Sequence, residues 1–249
     1  MTTKILLSLL LAGTAASVAS AGSVRIADIG GGITLNSGPL GPAVFGNTQT
    51  TWTTASMLSA HDSLRSSGIS TNMKITFMLA DTTHGLSMMA LIDEQQATQG
   101  VVAMGNVGMA TVAHGNNLAY LNATGGDVVL SPNGPGVRTA IGNFDWNFHG
   151  QGNAFAWADL EVGNTMTWRF NEVGGQTLGL LDPNTFQFVS WTGTNWAIVN
   201  LPVSQLSFTA SGDFGFSAVV TSVIPLPAGA AMAGLGLGVL PLVRRRRTA

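Results

Sequence analysis

The sequence predicts an all-β fold: an antiparallel, jelly-roll-like β-sandwich, with a closed barrel as the second choice. Three observations carry that expectation. Apolar and polar residues alternate with period two in several short runs, the pattern of a strand with one buried face. Clusters of Gly, Asn, Pro and Asp punctuate those runs, as turns require. Hydrophobic residues make up 45% of the chain while charged residues are only 9%, against roughly 25% charged in an ordinary soluble domain. The apolar content is enough for a core, which separates the chain from disordered sequences.

The alternation is clearest in Thr165–Asn171, where Met166, Trp168 and Phe170 share one side and Thr165, Thr167, Arg169 and Asn171 the other. Met73–Leu79, Thr185–Phe188 and Asp213–Val220 repeat the device. Further strands are expected at Ser23–Ile29, Gln49–Leu58, Leu86–Asp93, Val101–Met104, Met109–Ala113, Leu118–Leu121, Ala154–Val162, Thr177–Leu181, Trp196–Asn200 and Ser204–Ala210. Turns are expected at Asn116-Asn117, Gly125-Gly126, Ser131–Gly136, Gly163-Asn164, Gly174-Gly175 and Asp182–Asn184, and a hairpin loop at Thr192–Asn195. Strands with one polar face and short loops point to antiparallel pairing, and two such sheets bury their apolar faces against each other. Helical pattern is sparse: Ser56–Ser67 carries Met57, Leu58 and Leu64 for a few turns, and Glu94–Gln99 suits a short helical loop. Gly30–Gly46 reads as a loose glycine-rich arm.

The two ends carry different information. Residues 1–21 have the three parts of a secretory signal: Lys4, the apolar run Ile5–Ala12, and the small-x-small pair Ala19 and Ala21. Cleavage after Ala21 by signal peptidase, following passage through a Sec translocon, leaves Gly22 first. At the other end Pro225-Leu226-Pro227-Ala228 precedes a run without charge that continues to Val243, closed by Arg244, Arg245, Arg246 and Arg247. As a helix, the stretch Ile224–Val243 spans about 30 Å, the thickness of bilayer hydrocarbon. Four arginines then halt transfer and stay on the cytoplasmic side. The chain thus divides into a signal (1–21), a β-sandwich body (22–222) and a terminal segment (223–249) with one transmembrane helix.

A proline motif, an apolar helix and an arginine cluster in that order resemble the PEP-CTERM sorting signals of Gram-negative bacteria. Pro225-Leu226-Pro227-Ala228 is similar to the VPLPA variant, with isoleucine at 224 in place of valine and no Pro-Glu-Pro. The resemblance covers about 25 residues and the tail alone. It implies recognition by an exosortase-like membrane protease and delivery to the cell envelope or extracellular matrix, in a host that often makes exopolysaccharide.

For the body, chemistry is constrained mostly by exclusion. Segment 22–224 holds five basic residues (Arg25, Arg65, Lys74, Arg138, Arg169) against all twelve acidic ones, and such a surface repels phosphate backbones, so no nucleic-acid partner is expected. Cysteine is absent, which removes disulfides, thiol catalysis and thiolate metal sites. Asp81, His84, Asp93 and Glu94 form the most suggestive polar group, but a hairpin places the first pair and the second at opposite ends. His61-Asp62, His114, and Asp145 with His149 are the other histidine sites. Neither a Gly-x-Ser-x-Gly elbow nor a His-Glu-x-x-His helix occurs, so neither enzymatic activity nor a metal or other cofactor is expected. Trp168 is expected in the core. Trp191 and Trp196, flanking a hairpin loop, are candidates for stacking on sugar rings. The sequence therefore favours a non-enzymatic structural or adhesive protein of the envelope, with a carbohydrate-binding module second and a secreted hydrolase third.

Overall fold

The computed structural model describes residues 22–29, 31–40, 51–52, 54–82, 85–93, 106–123, 127–145, 153–173, 181, 184–201 and 213–223. Both terminal segments, with Ala19, Ala21, Pro225 to Ala228 and Arg244 to Arg247, lie outside the described residues. So do the expected strands Val101–Met104 and Ser204–Ala210, and nearly all of Thr177–Leu181. No helix among the described residues is long and apolar enough to cross a membrane; the expected transmembrane stretch falls outside them.

The fold is all-β with one short helix. In chain order the elements are β1 (Gly22–Ile26), β2 (Ile33–Asn36), β3 (Gly38–Pro39), β4 (Thr51–Trp52), α1 (Thr54–Ser66), β5 (Lys74–Thr82), β6 (Gly85–Asp93), β7 (Asn106–His114) and β8 (Ala119–Ala123). They continue with β9 (Asp127–Gly134), β10 (Val137–Asp145), β11 (Asn153–Ala158), β12 (Thr165–Val173), β13 (Phe186–Trp191), β14 (Trp196–Ile198) and β15 (Phe214–Val223). They form two sheets, one in the order β2-β1-β15-β12-β7-β10-β9 and the other β14-β13-β5-β6-β11-β8-β4, with β3 also on β5.

Alternation decides which side chains meet between the sheets. On β12, Met166, Trp168 and Phe170 point inward, and on β15 Phe214, Phe216, Ala218 and Val220 do the same. From the second sheet Ile75, Phe77 and Leu79 of β5 and Phe186 and Phe188 of β13 enter the same core. Phe77 is its hub, with ring centroids 4.7 Å from Phe216, 5.1 Å from Phe188, 5.5 Å from Phe170 and 5.9 Å from Trp168. A polar contact crosses the core: the Trp157 indole N–H donates to Thr111 Oγ1 at 2.9 Å, which satisfies both groups away from water.

Three expectations need correction. The pairing is antiparallel for most strands, but β13 and β3 run parallel to β5, and β4 runs parallel to β8. The strands β5, β6 and β11 are buried on both faces rather than one, because α1 lies over the outer side of their sheet. There Ala60, Leu64 and Ile69 pack on Met78, Met89, Leu91 and Ala156. Among the described residues of the expected strand Gln49–Leu58, Thr51–Trp52 is strand and Thr54 onward is helix.

Two segments read as loops are partly strand. Residues 33–36 and 38–39 of the expected glycine-rich arm form β2 and β3. The expected turn Ser131–Gly136 narrows to Pro135-Gly136 between β9 and β10. Gly136 has φ +73°, and proline followed by a left-handed glycine is the order of a type II turn.

Candidate functional site

The end of α1, the strand β3 and the β13–β14 hairpin enclose an open concavity of about 440 Å³. Its lining is Pro39, Ser63, Ser66, Ser67, Trp191, Thr194, Asn195 and Trp196. Local sequence explains the arrangement. Trp191 pairs directly with Trp196 across the hairpin, and Gly193 at φ +100° lets the loop reverse. The loop is tied by Thr192 N–H donating to the Asn195 carbonyl at 2.9 Å. The serines come from the last turn of α1 and the residue after it.

The two indoles play different parts. Trp196 is 2% exposed, and its Nε1–H donates to Ser63 Oγ at 3.1 Å. It therefore presents no free face for the sugar stacking that the sequence suggested. Trp191 is half-buried and leans on Trp196, with ring centroids 5.3 Å apart and planes at 66°. Gly38 lies beneath both: a Cβ there would stand 2.7 Å from Trp191 Cδ2 and 2.8 Å from Trp196 Cη2. Only glycine leaves room for these rings. The lining thus offers one partly exposed indole, several hydroxyls and one amide, and no ionised group, a combination suited to an uncharged polyhydroxyl ligand.

A second polar cluster lies where α1 meets β6. Arg65 Nη2 donates to Asp93 Oδ2 at 3.1 Å, and Thr71 Oγ1 donates to the same oxygen. His61, 2% exposed, has its Nδ1 at 3.8 Å from that carboxylate. Burial pushes the His61 imidazole below its usual range; the charges of Asp93 and Asp62 oppose this and Arg65 adds to it. Sequence reasoning placed His61 and Asp93 in separate groups, because no local pattern joins a helix residue to a strand end 32 positions later. Asp81 and Asp93 do stand at opposite ends of the β5–β6 hairpin, opposite Leu86 and Lys74, while His84 and Glu94 lie outside the described residues. Of the remaining histidine sites, His114 sits exposed at the end of β7 and Asp145 ends β10, with His149 outside.

The state of His61 sets a pH dependence. Its folded pKa lies below the unfolded value, so on acidification the unfolded chain takes up the proton first. Stability is then full above about pH 6.5 and falls below it, by up to about 1.4 kcal/mol per pH unit until the folded imidazole also titrates. Replacing His61 by Leu should flatten this limb in thermal denaturation between pH 7.5 and 5. Parallel profiles for the two proteins would contradict it.

A third feature is a cavity of about 340 Å³ on the outer side of β12 and β15, where Asp28, Asp213 and Arg169 meet Thr167 and Ser217. Asp28 Oδ2 accepts the Ser217 N–H at 2.9 Å. Among the described residues no three or more His, Asp or Glu side chains gather as a metal would need. No protein-family model, no curated protein and no solved structure matches this chain.

Proposed function

We propose that the chain is an exported cell-envelope or matrix protein with a structural or adhesive, non-enzymatic role. In this reading a Sec translocon and signal peptidase release it, the C-terminal helix holds it in the membrane, and an exosortase-like protease then processes it. The observation that carries it is the order of the tail: Pro225-Leu226-Pro227-Ala228, an uncharged stretch, then Arg244 to Arg247. We read the body as a jelly-roll-like sandwich on two grounds. The first and last of its described strands pair with each other, and the chain passes repeatedly from one sheet to the other.

Replacing Arg244 to Arg247 by serine should release the protein from the membrane fraction or invert its C-terminus, because the barrier to further translocation is then gone. Unchanged retention and processing in cell fractionation would refute the stop-transfer account. The same reading requires mass spectrometry of the exported protein to begin at Gly22.

The concavity at Trp191 favours a second reading, a carbohydrate-binding module acting on exopolysaccharide. Here the processed protein should bind neutral glycans on an array, and Trp191→Ala should weaken that binding about tenfold or more, the order of one lost aromatic platform. Absence of binding by the wild type would remove this reading and leave the first intact.

A further inference from the structure

Asp81 is the next-to-last residue of the buried strand β5 and is half-buried. Among the described residues the ion pairs join His61 to Asp93 and Arg65 to Asp62 and Asp93; none reaches Asp81. Its Oδ2 accepts a hydrogen bond from Ser37 Oγ at 3.1 Å. Ser37, fully buried, accepts in turn from the backbone nitrogen of Gly22 at 2.8 Å. One hydroxyl therefore separates a half-buried carboxylate from the nitrogen of the residue expected to follow the signal cleavage site.

We propose that removal of the leader at the Ala21–Gly22 bond creates an internal ion pair, in which the new Gly22 ammonium, held by Ser37, becomes the counter-charge of Asp81. The proposal rests on the export reading, and deepens it by giving the cleavage a structural result. In the hydrolysis catalysed by signal peptidase, the C–N bond breaks, water supplies a hydroxyl to the Ala21 carbonyl carbon, and the Gly22 nitrogen leaves as an amine. That amine takes up a proton near neutral pH. Before cleavage the same nitrogen is an uncharged amide, and burial holds the Asp81 carboxyl above its ordinary range, with the Ser37 hydrogen bond opposing it.

The position is built for a fixed nitrogen. A Cβ at residue 22 would lie 2.7 and 2.8 Å from the two methyls of Leu86 and 3.2 Å from the Ser222 carbonyl oxygen, so a larger residue would have to push the Leu86 side chain aside. Ser37 N–H also donates to the Gly22 carbonyl at 2.9 Å, which fixes the residue from its other side. Next along the chain, Ser23 Oγ is hydrogen-bonded to Thr221 and Ser222 of β15. The described groups nearest that socket, Ser37, Leu86 and Ser222, do not titrate near neutrality. Asp81 is the carboxylate that this chain of hydrogen bonds reaches. An ammonium in such a site is poorly hydrated and gains most from a nearby opposite charge.

The test uses the full chain, exported and processed by its host. Mass spectrometry first establishes the N-terminus, and thermal denaturation is then followed from pH 7 to 10 for wild type and Asp81→Asn, which keeps an acceptor for Ser37. The ion pair raises the proton affinity of the folded amine about tenfold, so wild type should lose about 3–5 °C of Tm across this range that Asp81→Asn does not lose. The sign follows from linkage: stability from a raised pKa is present below the unfolded value, near 8, and disappears as pH passes the folded one. If Asp81→Asn does not fold, the wild-type amine decides alone. Its acetylation by acetic anhydride should titrate about tenfold more weakly acidic in the folded than in the denatured protein. A Gly22 N-terminus with parallel profiles, or with an unshifted amine, overturns the ion pair and leaves export standing. Any other N-terminus overturns both the ion pair and the cleavage site.

Discussion

Replacing Phe77 by Ala is expected to destabilise the protein by about 3–5 kcal/mol, the range for deleting a buried aromatic ring. Phe77 is fully buried and its ring touches four others, drawn from both sheets. Part of the loss is transfer of apolar surface to water, and part is the cavity left among rings that are too rigid to collapse into it. Edge-to-face contacts with Trp168, Phe170 and Phe216 add to this, each worth about 0.5–1.5 kcal/mol beyond area. A domain with about 5–15 kcal/mol in total then has a Tm lower by about 10 °C. Phe77→Leu keeps most of the volume and should lose less than half as much. Equal losses for the two variants, or a loss under about 1 kcal/mol for Phe77→Ala in denaturant titration, would show that the aromatic hub is not where the sheets are joined.

Replacing Asp93 by Ala should destabilise by about 2–3 kcal/mol, below the about 3–5 kcal/mol typical of breaking a fully buried pair. The reduction reflects Arg65, whose side chain is 42% exposed and turns to water when its partner is lost. Thr71, 1% exposed, has no such escape and keeps an unpaired hydroxyl. Since Asp93 fastens α1 to β6, the loss should concentrate in the helix. Limited proteolysis should cut within Thr54–Gly68 in Asp93→Ala well before the sheets unfold. Cleavage spread evenly over the chain would count against a local anchoring role.

How much of this was legible in the sequence depends on the range of the forces involved. Strand β12 was legible because Met166, Trp168 and Phe170 alternate with polar residues inside one short window, and Arg169 and Asn171 on the other face are exposed. The β13–β14 hairpin was legible because Thr192–Asn195 is turn chemistry between two tryptophans. The double burial of β5 and β6 was not: helical turns were expected at Ser56–Ser67, but nothing local shows that Leu64 covers Met78 and Met89 on the outer face of the sheet. Strand β10 was missed for a different reason: Arg138, Asn143 and Gly142 weaken its pattern, and exposed Ile141 sits on the solvent face. The Trp191 site was half-legible. Residue type and hairpin placed the pair, but Ser63, which takes the Trp196 N–H, lies 133 residues earlier.

The position of β15 has a consequence for how the molecule is made. It runs between β1 and β12, in the interior of its sheet, though it is the last of the described strands and β1 the first. Within its own sheet the N-terminal hairpin β1–β2 therefore has no described neighbour until residues 214–223 arrive, although β2 is also tied to β13 of the other sheet by the Asn36 N–H donating to Ser190 Oγ at 2.9 Å. A chain built this way pays the entropy of closing a loop of nearly its whole length before that contact rewards it. Completion of that sheet waits for residues 214–223, so its closure is a long-range step in folding.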